Sequence, residues 1–143
     1  MQHVAIMKRS WGFIEKILSG EKKIESRWYK LKRSPWDKIK KGEIVYFKNS
    51  GEQVALKTRV REVMQFNNLD SKKVKNILDK FGKDIGIDQT RQLDFTKYLK
   101  VKKYCILIFL KNVQKVEPFE IDKKGFGAMT AWISMENINM IKR

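Results

Sequence analysis

The sequence predicts a small α+β domain in which a mostly antiparallel sheet of five or six strands curls toward a barrel, with two or three short helices at its ends. Three observations predict it. Apolar residues alternate with polar ones, or run in short unbroken blocks, wherever a half-buried or fully buried strand would need them. Few segments carry the i, i+3, i+4 apolar spacing of an amphipathic helix. The 143 residues are 42% hydrophobic with only 8 Gly and 2 Pro, which suits one domain over 1–143 that buries a core without disulfides or metals.

Taken in order, Val4 to Met7 reads as a buried strand. Trp11, Ile14, Ile17 and Leu18 then recur at helical spacing, with Ser10 as N-cap and Gly20 as the stop. Lys23 to Trp28 alternates as a second strand, Ser34-Pro35-Trp36 interrupts, and Lys38 to Gly42 is a basic turn. Glu43 to Lys48 is a third strand, apolar on both faces, and Asn49-Ser50-Gly51-Glu52 has hairpin chemistry. Val54 to Arg61 follows with one basic face. Asp70-Ser71 opens a helix carrying Val74, Ile77, Leu78 and Phe81, for which Gly82 is the expected stop. Residues 83–92 read as a loop and Leu93 to Leu99 as a short helix. Tyr104 to Leu110, seven apolar residues in a row, is the strongest strand and is expected at the sheet's centre, continuing to Pro118. Gly125 to Ala128 is a loop, and Ala131 to Ser134 a last strand.

Charge narrows the function. Lys and Arg total 32 against 16 acids, a net +16. Residues 8–41 hold twelve basic residues against four acids, so half the excess sits in a quarter of the chain. Such a field attracts polyanions, and nucleic acid is the expected partner, RNA first and DNA second. No apolar run reaches the length of a membrane helix, and no secretory signal pattern opens the chain. The lone Cys105 has no partner for a disulfide or a metal site, and no cofactor is called for. A reducing, cytoplasmic setting and a monomer are expected. His3, the one histidine, is expected at the periphery.

The chemistry concentrates in Gly20-Glu21-Lys22-Lys23-Ile24-Glu25-Ser26-Arg27-Trp28. On a strand, Glu25 and Arg27 share a face, so the carboxylate would hold the guanidinium for a phosphate or a guanine edge. Lys22 enters the strand beside them. The same pair is also consistent with an ordinary ion pair. Trp28 and Trp11 suit core or base stacking, and Trp132 suits cleft wall or core. Lys48 and Ser50 flank the hairpin turn.

The pattern G-x-K-x-x-E-x-R, after an amphipathic helix and entering a strand, resembles the signature of the ASCH domain. Pro35-Trp36, Lys41-Gly42-Glu43, Lys48-Asn49-Ser50-Gly51, Lys103-Tyr104-Cys105, Gly125-Phe126-Gly127-Ala128 and Ala131-Trp132-Ile133 continue the resemblance in order along the chain. It implies a PUA-like pseudo-barrel and a nucleic-acid-binding module whose site comprises Lys22, Glu25, Arg27, Trp28, Trp11, Lys48, Ser50 and Trp132. The Lys48–Gly51 loop would then face the motif across a basic pocket. The alternative is an ASCH-type processing enzyme. A metal-independent ribonuclease would use Lys22, Arg27 and a hydroxyl on the transition state. An N4-acetylcytidine amidohydrolase resembles this chain at Lys22 only: Ser26 is the nearest hydroxyl to the family threonine, and Asp84, Asp88 and Asp94 stand where a glutamate is needed. Lys22 and Ser26 are the catalytic candidates in either case.

Overall fold

The computed structural model describes residues 1–87 and 95–143. Six strands form one sheet: β1 (Gln2–Met7), β2 (Ile24–Tyr29), β3 (Ile44–Asn49), β4 (Val54–Phe66), β5 (Tyr104–Phe119) and β6 (Trp132–Met135), in the order β2-β5-β4-β3-β1-β6. Every neighbouring pair is antiparallel except β1 and β3, which run parallel. The α+β architecture expected from the sequence is therefore present. β5 lies one place in from the β2 edge; the middle of the sheet belongs to β4 and β3. The long β4–β5 ribbon carries three register shifts, and such bulges bend a ribbon.

Apolar side chains divide into three clusters. Inside the curl, Val45, Phe47, Leu56, Val60, Ile106 and Ile108 meet Phe13, Ile14 and Ile17 of α1 (Phe13–Ser19). On one outer face, Val74, Ile77, Leu78 and Ile85 of α2 (Ser71–Ile85) cover Ile24, Trp28, Leu107 and Phe109. On the other, Val4, Ile6, Tyr46 and Ile133 are closed by Ile138 and Ile141 beside a C-terminal 3₁₀ turn, Ile138–Met140. Burial on both faces explains why β3 and the first half of β5 read as unbroken apolar runs.

Two helix boundaries differ from expectation. Ser10 caps nothing: residues Arg9–Trp11 form a 3₁₀ turn, and Gly12, at φ 66°, separates it from α1. Only a residue at ease with positive φ can make that break, so the helical spacing from Trp11 misled. Gly82 does not end α2. It is buried on the face that also carries Leu78 and Ile85, and Gly86 at φ 96° closes the helix. Residues 95–99 are helical, while positions 93 and 94 of that expected helix, and 88–92 of the expected loop, lie outside the described residues. Asp70 caps α2, its carboxylate accepting from the Lys73 N–H at 2.8 Å. Among the described residues no helix is long and apolar enough to cross a membrane.

Candidate nucleic-acid interface

The curl brings β2 back toward the opposite end of the sheet, and Arg27 fastens that seam. Its Nε donates to Glu25 Oε2 at 3.0 Å, and its Nη2 lies 2.8 Å from the same oxygen. Its Nη1 donates to the Ala131 carbonyl at 3.1 Å, and its Nη2 reaches the Ile6 carbonyl at 3.4 Å and Met7 Sδ at 3.3 Å. The guanidinium also sits 5.1 Å from the Trp132 ring centre. The Glu25–Arg27 pair expected from their shared strand face is thus present, and most of its fork is spent on protein.

Lys22 lies behind that wall with its side chain fully enclosed. Its ammonium donates to the Ile24 carbonyl at 2.7 Å and the Ile85 carbonyl at 2.5 Å, and is 3.2 Å from Glu25 Oε1. Phe13 lies against it, 4.3 Å from ring centre to Nζ. Burial pulls Lys22 below the ordinary lysine range, opposed by the Glu25 charge. Three donated bonds at once require the ammonium form. Burial would push the Glu25 carboxyl up, but Lys22 and Arg27 outweigh it and hold Glu25 below the usual carboxylate range. Lys16 also donates to the Gly86 carbonyl at 3.0 Å, so two cations meet the negative end of α2.

Two adjoining cavities run along the seam. The first, about 460 Å³, is lined by Glu25, Ser26, Arg27, Trp28, Trp11 and Ser50, together with Lys8, Tyr98 and Lys123. The second, about 480 Å³, is lined by Arg33, Lys38, Trp132 and Ser134. Tyr29 and residues 129–131 border both. Of the residues singled out by the sequence, Glu25, Ser26, Arg27, Trp28, Trp11 and Ser50 therefore share one cavity, and Trp132 lies in the next. Lys22 and Lys48 line neither. Lys48 is buried beside Lys123; burial, then the Lys123 charge, lowers its pKa. Trp28 is buried under α2 and donates to Ser26 Oγ at 2.9 Å. Ser26 projects from the opposite face of β2 to Glu25, and no hydrogen bond joins it to Lys22.

Sequence reasoning missed His3. It is fully buried, not peripheral, with Nε2 2.8 Å from Glu43 Oε1 and Nδ1 2.9 Å from Ser134 Oγ. A histidine directly before the apolar run Val4 to Met7 was the available signal. Lys8, Lys123 and Tyr98 were also missed as cleft residues, because only the curl brings their segments together.

No family model and no curated relative matches the sequence. Solved structures do match in fold. The crystal structure of ASCH from Zymomonas mobilis is 15% identical, with a TM-score of 0.67 over 94% of this chain and 87% of that one. A ZmASCH mutant protein gives 14% identity and a TM-score of 0.69 over 97% of this chain and 93% of its own. These superpositions give this chain the fold of the ASCH crystal structures, an α+β pseudo-barrel.

Proposed function

We propose that this protein is an ASCH/PUA-like module that binds single-stranded nucleic acid, RNA above DNA, along the seam of its barrel. One observation carries the reading: the two seam cavities have Lys8, Lys123, Arg33 and Lys38 at their walls and Trp11, Tyr29 and Tyr98 among them. Cations track a phosphate backbone, and aromatic faces stack bases without regard to sequence. Glu25 and Arg27 form the wall against which a nucleotide lies, and Lys22 holds that wall from behind. Enzyme readings that bring Lys22 to a substrate require it to leave both carbonyls and Glu25. That cost favours binding over Lys22 chemistry.

Fluorescence anisotropy with labelled single-stranded RNA and DNA of equal length tests this. Four neutralised phosphates, at a slope of about −0.7 each, make affinity fall about 50-fold between about 50 and 200 mM salt. Replacing the exposed Tyr98 by Ala costs about 1–3 kcal/mol of binding if a base stacks there. Binding that ignores salt, or is unchanged in Tyr98→Ala and Lys38→Ala, rejects the seam as the site.

A further inference from the structure

On the wall of the seam's second cavity, Ser134 ends a chain of residues that the proposed nucleic-acid binding does not use. His3 and Ser134 stand directly opposite each other in the β1–β6 ladder, so their side chains share a face. Glu43, at the entrance to β3, completes a chain. Its carboxylate can only accept, which assigns the proton between them to His3 Nε2. His3 Nδ1 is then left as the acceptor for the Ser134 hydroxyl at 2.9 Å. Trp132 Nε1–H lies 3.2 Å from Ser134 Oγ and also 3.2 Å from His3 Nδ1, and can donate to the serine oxygen. Glu43 is itself fixed by the Lys40 N–H at 2.9 Å. Ser134 is half-buried and lines the cavity that also presents Arg33 and Lys38.

The geometry points to Ser134 as a base-activated nucleophile that takes an acyl group from an acyl phosphate, with His3 as the base and Glu43 as the residue that positions it. Burial lowers the His3 pKa more than Glu43 raises it, so the imidazole stands neutral and able to accept a proton. The same burial sets the substrate class. His3 is fully enclosed and does not line the cavity, so it cannot hand a proton to a leaving group. The leaving group must depart as an anion, and Arg33 and Lys38 line the space that would receive phosphate.

In the first step the Ser134 Oγ–carbon bond forms while its proton passes to His3 Nδ1. The carbon–oxygen bond to phosphate breaks, and its electron pair leaves with the phosphate. Water then attacks the acyl carbon, and the Oγ–carbon bond breaks. Oγ recovers the proton from His3, and the carboxylic acid releases one to solvent. The sum is acyl phosphate plus water giving carboxylate, phosphate and a proton.

The test exposes the intact protein separately to a fluorophosphonate and to acetyl phosphate, followed by tryptic mapping. The 125–142 peptide contains Ser134 and no internal lysine, so lysine acetylation elsewhere does not obscure it. The expected result is, with acetyl phosphate, a phosphate release that stops in Ser134→Ala and, with the fluorophosphonate, a Ser134 adduct. Its rate should fall about 100-fold in His3→Gln and in Glu43→Gln, and no adduct should form at position 134 in Ser134→Ala. Glu43→Gln keeps the imidazole in place, so it serves where His3→Gln disturbs folding, with circular dichroism as the check. A folded protein without a Ser134 adduct overturns the proposal, as do adduct rates unaffected by both changes. A fluorophosphonate adduct without phosphate release from acetyl phosphate overturns the acyl phosphate assignment.

Discussion

Two buried polar clusters face the inside of this barrel, and they are finished differently. In the Lys22–Glu25–Arg27 cluster every hydrogen of the ammonium and nearly all of the guanidinium fork ends on the protein's own carboxylate or backbone carbonyls. In the Glu43–His3–Ser134 cluster the chain ends on a hydroxyl that lines a cavity. The first cluster closes on itself and joins elements: α1 and β2 to the end of α2, and β2 to β1 and the approach to β6. The second stops short of closing. Charge density alone would have drawn attention to the first, whose hydrogen bonds are spent on protein, while the second leaves a hydroxyl on a cavity wall.

Removing the central carboxylate is the sharpest way to break this contrast. Glu25→Gln keeps the shape but leaves two cations buried without a counter-charge, and unfolding free energy should fall by about 3–5 kcal/mol in urea titration. A loss below about 1 kcal/mol would mean that the cluster relaxes to solvent and is not closed. Next comes the tightness of the shell around Lys22. A Cβ on Gly86 would sit 3.4 Å from Lys22 Cβ and Cδ, at a backbone φ of 96°. Gly86→Ala should cost about 1–2 kcal/mol, mostly from the left-handed backbone.

The second cluster should show itself in acid. The folded-state pKa of His3 lies below its ordinary 6.5. Below pH 6.5 the unfolded chain takes up a proton that the folded chain refuses, so stability drops as pH falls from 6.5 toward the folded pKa. Glu25, whose pKa is also depressed, adds its own loss as pH falls from the ordinary carboxylate value of 4.5 toward its lower folded value. Unfolding curves at about pH 7.5 and pH 5.5 should therefore differ in the wild type and converge in His3→Gln, while leaving the Glu25 limb untouched. The smallest effect is the reference: Lys75 and Asp79 pair at 2.9 Å on the exposed face of α2. Lys75→Ala should change stability by no more than about 0.5 kcal/mol.

The sheet was legible because its strands carry their own pattern. Val54, Leu56, Thr58 and Val60 are buried at alternate positions, and Tyr104 to Leu110 is buried as a block after its first residue. The Glu25–Arg27 pair was legible for the same reason, since two residues on one strand share a face. What could not be read depended on partners far along the chain. Lys22 is sealed by a carbonyl 63 residues away, and His3 meets a serine 131 residues away. The motif fell on β2 and the turn before it, while the division between enclosed and accessible groups was set by the α2 terminus and the β1–β6 ladder.

The seam has a consequence for the life of this protein in a crowded solution. An open sheet ends in two strands whose outer N–H and C=O groups invite another chain to add on. β2 and β6 are those strands here. Arg27, on β2, reaches across to the carbonyls of Ile6 on β1 and of Ala131 just before β6, so one side chain bridges the two ends of the sheet where a true barrel has a hydrogen-bonded ladder. Cutting that one fork would remove the bridge between the two ends of the sheet, and such a variant should self-associate at lower concentration than the parent.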